Sequence, residues 1–201
     1  MKYTILSDQK HEEKIEKSLF IGNLRHVISP ESAKLFFQEI NKLHSQASHN
    51  CPAYILGKKG ETTFCSDNQE PSGTAGKPIL NMLQRHNLTN VAIVVTRYYG
   101  GVKLGVRGLI EAYGGVAEKT ILTGEKTPVI DYVNYICTMP YDFYNIFSHK
   151  IKIPDVVVLS AEYTDKIEVI LQTTEYAEKE LLVVLNEMGN NRMFVYGRVK
   201  S

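Results

Sequence analysis

The segments EPSGTAGKPIL (residues 70–80) and VVTRYYGGVKLGVRGLIEAYGG (residues 94–115) decide how this chain is read. Each places a glycine-rich loop ahead of a helical pattern, and a short β-branched run, Val91–Thr96, lies between them. An apolar run without alternation reads as a central strand covered on both faces. The second helix is expected over Leu104–Leu122. Its glycines at 105, 108, 114 and 115 are poor helix formers and imply close approach of a neighbouring element or a ligand. From Pro71 to Ile110 no residue is acidic, while Lys77, Arg85, Arg97, Lys103 and Arg107 are basic. That asymmetry reads as a surface that faces phosphate.

Upstream, residues 12–28 alternate loosely and predict one or two strands with a turn at Gly22-Asn23. Ser29-Pro30-Glu31 is a helix start, with Ser29 as cap and Pro30 in the first turn. Ala33, Phe36, Phe37, Ile40 and Leu43 then carry a helical period over 30–47. Ala53–Leu56 and Thr62–Cys65 predict a hairpin around Gly57–Gly60. A helix is expected from Gly76 to about His86.

Downstream, Gly124–Pro128 reads as a linker. Strand Val129–Met139, helix Tyr141–Lys150, strands Val156–Tyr163 and Lys166–Thr173, helix Glu175–Met188 and strand Arg192–Val199 follow. That order is βαββαβ, the ferredoxin-like plan. The expected class is therefore α+β with two domains, 1–125 and 126–201.

The 201 residues carry a net charge of +1, so no global field argues for a polyanionic partner. The charge is uneven: residues 1–125 hold 15 Lys and Arg against 12 Asp and Glu, and a polyanion would meet this part. Three cysteines, Cys51, Cys65 and Cys137, form neither a disulfide framework nor a CxxC pair, which suits a reducing cytosol. The N-terminus shows no signal-peptide pattern, and runs such as VAIVV are too short to span a bilayer. A cytoplasmic location is expected, with no membrane partner.

In the first loop, Ser72, Gly73, Thr74 and Gly76 offer hydroxyls and free backbone N–H groups before a helix, and Lys77 adds charge. An anion fits such a place. The loop lacks the GxxxxGK[ST] pattern of a Walker A site. Glu70 is expected to orient it by accepting backbone N–H bonds. In the second loop, Arg97, Lys103 and Arg107 are candidates to clamp phosphates, with backbone approach at Gly100, Gly101, Gly105 and Gly108. Tyr98 and Tyr99 are candidates to stack on bases, or one of them packs in the core. The spacing is not GxGxxG, so a Rossmann site is not expected. His49, Asn50, Tyr54 and Asp67 are possible accessory residues. His49 with Cys51 and Cys65 suggests a thiol–imidazole pair or a metal site, yet a structural role outweighs both. No catalytic residue, metal or cofactor is expected. In the second domain Tyr135, Tyr163 and Tyr196 form an RNA platform or pack under a helix.

The strings DNQEPSGTAGKPIL, VVTRYYGGVKLGVRGLIEAY and HNCPAY (residues 49–54) resemble the IMPACT/YigZ family, and the resemblance covers the whole chain. It implies a first domain like the second domain of RNase PH and its ribosomal relatives. It implies a second domain similar to the last domain of elongation factor G. Both point at RNA or the ribosome, and the eukaryotic member regulates translation. That member acts through a kinase activator using an additional domain, and this arm is not carried over. The family's acidic-glycine pair before the Glu is Asn68-Gln69 here. Arg107 replaces a small residue, and Glu111 replaces an Arg. The resemblance thus implies RNA or ribosome binding in translation control, with a protein partner also open. The alternative is an enzyme or binding protein for a small phosphate compound or nucleotide, using the same loops with Glu70 or Asp67 as base. A compact pocket between the loops favours that alternative. An open convex basic face favours RNA.

Overall fold

The computed structural model describes residues 1–190 and 193–199. Its first unit, Met1–Val129, contains β1 (Tyr3–Ile5), β2 (Gln9–Ile15), β3 (Ser18–His26), α1 (Pro30–Leu43), β4 (His49–Leu56), β5 (Thr62–Cys65), α2 (Gly76–Arg85), β6 (Val91–Tyr98), α3 (Gly105–Leu122) and β7 (Lys126–Pro128). Strands β2–β6 form one antiparallel sheet in the order β2-β3-β6-β4-β5. β6 lies at its centre because both its faces are covered. Val91, Ile93 and Val95 pack with Ile79 and Leu83 of α2 and Leu109, Val116 and Ala117 of α3. Ala92 and Val94 pack with Ala33, Phe36 and Ile40 of α1. Each large aliphatic side chain so buried contributes roughly 1.5–3 kcal/mol, which is why this run carries no polar alternation.

Several boundaries differ from the sequence reading. The first hairpin turns at Glu16 and Lys17, both at positive φ, and not at Gly22-Asn23. Gly22 sits mid-strand in β3, where a Cβ would collide with the Thr120 hydroxyl of α3. It is a close-approach glycine, not a turn glycine. The α1 helix begins as expected, with the Ser29 hydroxyl accepting from Ser32 N–H. It ends at Leu43, short of 47. The supposed linker is partly strand: Lys126–Pro128 pairs antiparallel with Tyr3–Ile5.

The second unit, Ile130–Ser201, contains β8 (Tyr132–Met139), α4 (Tyr141–Lys150), β9 (Val156–Tyr163), β10 (Ile167–Thr174), α5 (Glu178–Gly189) and β11 (Val195–Arg198). Its antiparallel sheet has the order β11-β8-β10-β9, the ferredoxin-like arrangement. Arg192, where the last strand was expected to open, lies outside the described residues. Val133, Tyr135, Cys137, Val169 and Leu171 face Phe143, Phe147, Leu181 and Leu185 of the helices. Tyr135 is thus a core residue, its hydroxyl donating to Glu178 Oε1 at 2.6 Å. Tyr196 packs on Phe194, and Tyr163 meets the Tyr144 hydroxyl at 3.2 Å. The three tyrosines do not line up as a stacking platform.

Candidate functional site

Alternation along β6 sorts the residues of the second loop. Arg97 continues the parity of Val91, Ile93 and Val95 and points under α3. Tyr98 takes the opposite parity and points toward α1, where its hydroxyl lies 3.0 Å from His44 Nδ1. Register then sets a row across three strands on the α3 side: His49 of β4 and Phe20 of β3 are both partners of Arg97.

Arg97 was expected to be exposed and to hold phosphate. Its side chain is only 6% exposed. Nη1 donates to Glu70 Oε1 at 2.7 Å, and Nη2 donates to Ser18 Oγ at 3.3 Å. The guanidinium carbon lies 5.5 Å from the Phe20 ring centre and 5.3 Å from that of Tyr99. Nε is buried without a partner. A cation so placed costs several kcal/mol to desolvate and persists because a carboxylate meets it. Arg97 is a structural ion-pair member.

Glu70, expected to orient the first loop, accepts no backbone N–H of that loop among the described residues. Its Oε1 accepts from Arg97 and from the Tyr113 hydroxyl at 2.8 Å, with His49 Nε2 at 3.7 Å. Backbone amides of the first loop go instead to Asp67. Asp67 Oδ2 accepts from Gly73 N–H at 2.8 Å, and Oδ1 from Ala75 and Gly76 N–H at 2.9 Å each. Burial opposes the charge on Asp67, yet the three N–H donors outweigh it and hold its carboxyl below the ordinary aspartate range. The N-terminus of α2 is therefore already satisfied by a carboxylate, and the anion place expected there is filled from within the chain. Thr74 is buried and donates to Pro71 O. Ser72, Gly73 and Lys77 remain on the surface.

The Asn68-Gln69 turn is held at positive φ at both residues, 43° and 70°. Asn68 donates from Nδ2 to Asn50 O at 2.7 Å, and its own carbonyl lies 2.9 Å from His49 Nδ1. His49 and Asp67 are thus loop holders. Asn50 and Tyr54 point to the other side of the sheet. Asn50 Oδ1 accepts from Thr96, and Tyr54 stacks on Phe37 and Phe64. Cys51 is fully buried and donates from Sγ to Asp67 O at 3.1 Å. Burial pushes its thiol up to about 12, which removes it as a nucleophile at neutral pH. Among the described residues no group of three or more His, Cys, Asp and Glu side chains is placed to hold a metal ion.

The second loop leaves β6 against the first hairpin. A Cβ on Gly100 would strike the Lys17 carbonyl, so the backbones lie in contact. Ser18 Oγ also accepts from Gly100 N–H at 3.2 Å. Gly101 and Gly105 take positive φ at the turn into α3. Arg107, in the first turn of α3, is 92% exposed and paired with Glu111 at 2.8 Å. Lys103 is exposed at the rim of two depressions. One, of about 590 Å³, brings Glu13, Glu16 and Glu111 beside it together with Gly108. The acid-free run is thus not an acid-free surface, because the hairpin supplies carboxylates from outside the run.

The other is a cleft of about 380 Å³ between the two loops. Glu70 and Arg97 lie in it as charged groups. Pro71, Leu104, Val106 and Leu109 supply apolar wall, and Tyr99, 47% exposed, lines one side. Tyr113 and Ser18, which complete the buried network, were missed as a site from sequence.

A buried acid–base–phenol network under two glycine-rich loops, on an antiparallel sheet backed by two helices and joined to a ferredoxin-like unit, defines a two-unit α+β protein with a loop-built cleft. The chain belongs to the IMPACT family: the Impact N-terminal domain pattern matches residues 16–121. An IMPACT family member of Haemophilus influenzae is 32% identical over 186 residues, covering 92% of this chain and 90% of that protein. The IMPACT family member YvyE of Bacillus subtilis is 46% identical over 112 residues, 56% of this chain and 52% of that protein, so this match spans about half of its length. A crystal structure of a hypothetical protein superposes with a TM-score of 0.65 at 25% identity, covering 99% of this chain and 96% of that one. Among the described residues no helix is long and apolar enough to cross a membrane.

Proposed function

We propose that this protein binds RNA, free or in the ribosome, through the loop face of its first unit, and that it acts in the control of translation. The observation that carries the reading is Lys103, exposed at the mouth of the cleft beside the half-exposed ring of Tyr99. A cation next to an aromatic face is the pairing that holds a phosphate and an unstacked base together. Lys77 on the first loop, and Lys17, whose backbone packs on Gly100, extend the exposed positive charge. Arg97 is not a contact in this reading. It stiffens the floor and backs the Tyr99 ring. Family membership supports the translation role, in line with the regulatory activity of the eukaryotic member.

Binding of single-stranded and of structured RNA, titrated with salt, tests the reading. Affinity that falls steeply with salt supports it, because phosphate contacts release counterions. No binding at low salt overturns it. The concave cleft favours a second reading, in which a small phosphorylated compound is the ligand. A screen of nucleotides and phosphorylated metabolites separates the two.

A further inference from the structure

Glu70 uses one oxygen and leaves the other. Oε1 takes the Arg97 and Tyr113 donors, while Oε2 receives no side-chain or backbone hydrogen bond among the described residues. The side chain is only 4% exposed, and the residue lines the cleft. Oε2 is not among the fully buried unpartnered atoms, so it is open to the cleft, where a ligand N–H or O–H can take the place of water as its donor. A phosphate cannot sit against this oxygen, since two anions would meet. Besides Glu70, the polar lining is Arg97, whose Nη atoms are bonded and whose Nε is buried, Lys103 on the rim and Tyr99, while Pro71, Leu104, Val106 and Leu109 are apolar, so a sugar ring rich in hydroxyls fits poorly. A flat aromatic group with one strong donor fits well. The cleft, about 380 Å³, is at the small end of ligand sites, which run from roughly 300 to 1,000 Å³. Lys103, on the rim, is placed to meet a negative charge attached to such a group.

We propose that the cleft between the loops is a subsite for one unstacked nucleotide whose base carries an exocyclic amino group, with Glu70 Oε2 accepting from that amino group and Lys103 meeting the attached phosphate. Adenine, cytosine and guanine qualify. Uracil has one donor on this edge, N3–H, but carbonyl oxygens flank it on both sides and repel a carboxylate oxygen, whereas an exocyclic amino group also offers an N–H that points away from the ring acceptors. The proposal rests on the RNA reading above for the source of the nucleotide. A free nucleotide presents the same chemistry.

The probe pair is oligocytidylate against oligouridylate, pyrimidine strands that differ at C4 and N3, with CMP against UMP as monomers to remove the difference in strand stacking. Anisotropy of labelled strands at one salt concentration, with CMP or UMP as competitor, is read for the wild type, Val106→Trp and Glu70→Gln. Val106 is 62% exposed at the cleft wall, outside the buried network, so its replacement blocks the mouth without breaking the ion pair. The expected result is a preference for the cytidine strand of about ten-fold, the effect of one charge-assisted hydrogen bond. Val106→Trp abolishes the preference while the salt slope stays. Glu70→Gln, which presents an amide in place of a carboxylate, abolishes or reverses it. Equal binding of the two strands by the wild type, or an unchanged preference in Val106→Trp, overturns the subsite and leaves the RNA reading standing. Saturable binding of CMP that Val106→Trp removes, with neither strand bound, keeps the subsite and overturns the RNA reading. Binding of none of the probes overturns both. If Glu70→Gln does not fold, the Val106→Trp comparison decides.

Discussion

Arg97 and Glu70, 27 residues apart in the chain, meet at 2.7 Å with side chains 6% and 4% exposed. Removing one member strands the other charge in the core. Arg97→Ala is therefore expected to lower stability by about 3–5 kcal/mol, read as a fall in the midpoint of urea unfolding. A midpoint within error of wild type would mean that the pair is not buried in solution. Loss of RNA binding in this variant reports on folding first, so it is the wrong substitution for locating a phosphate contact.

Asp67 should set part of the acid limb of stability. Its carboxyl titrates below its ordinary value of 3.8 in the folded state. Its stabilising effect is thus complete above that value and disappears as pH falls through the lower, folded pKa. Asp67→Asn is expected to cost about 1–3 kcal/mol near neutral pH, because its amide NH2 faces a backbone N–H where a carboxylate oxygen accepted, and the charge that strengthened the other bonds is gone. The gap between wild type and variant should close progressively below about pH 4. Denaturant melts at neutral and acid pH measure both ends, and a gap that is constant with pH contradicts the assignment.

Gln69 occupies left-handed backbone at φ 70°, a conformation that costs a side-chain-bearing residue about 1–2 kcal/mol. Glycine removes that strain and returns about 0.5–1 kcal/mol of chain entropy to the unfolded state. Gln69→Gly should therefore raise stability by about 0.5 kcal/mol, a small upward shift in melting temperature. A fall would show that the Gln69 side chain holds the loop.

Lys103→Ala and Lys77→Ala should each weaken RNA binding regardless of sequence and reduce the salt slope by about 0.7–1. Arg107→Ala should do less, because Glu111 already neutralises that charge. Equal effects at all three positions would place Arg107 in the contact surface and break its pairing with Glu111.

What could be read from the sequence was local. The all-apolar run of β6, the Ser29 cap and the glycine turns announced themselves within a few residues. Long-range facts did not. Glu70 was given the nearby N–H groups, but Asp67 holds them, and the partners of Glu70 come from β6 and α3. Nothing in Thr96-Arg97-Tyr98 tells which side chain faces which layer when both faces of the strand are covered. Gly22 resembled a turn because the hydroxyl that needs its missing Cβ lies on α3, nearly a hundred residues away in sequence. Glu13 and Glu16 beside Lys103 were invisible for the same reason, since the β2–β3 hairpin that carries them lies far from Lys103 in sequence.

The pairing of β1 with β7 has a consequence for how the first unit is born. During synthesis Tyr3–Ile5 emerges first, yet its ladder partner, Lys126–Pro128, comes last in that unit. Tyr3 gains its earliest backbone bonds only when Asn87 and Thr89 have left the ribosome. Until then the leading strand must wait unpaired, and closing so long a loop is slow and carries an entropy cost. The last three-residue strand therefore acts as a latch, shutting only after everything between it and the first strand has been made.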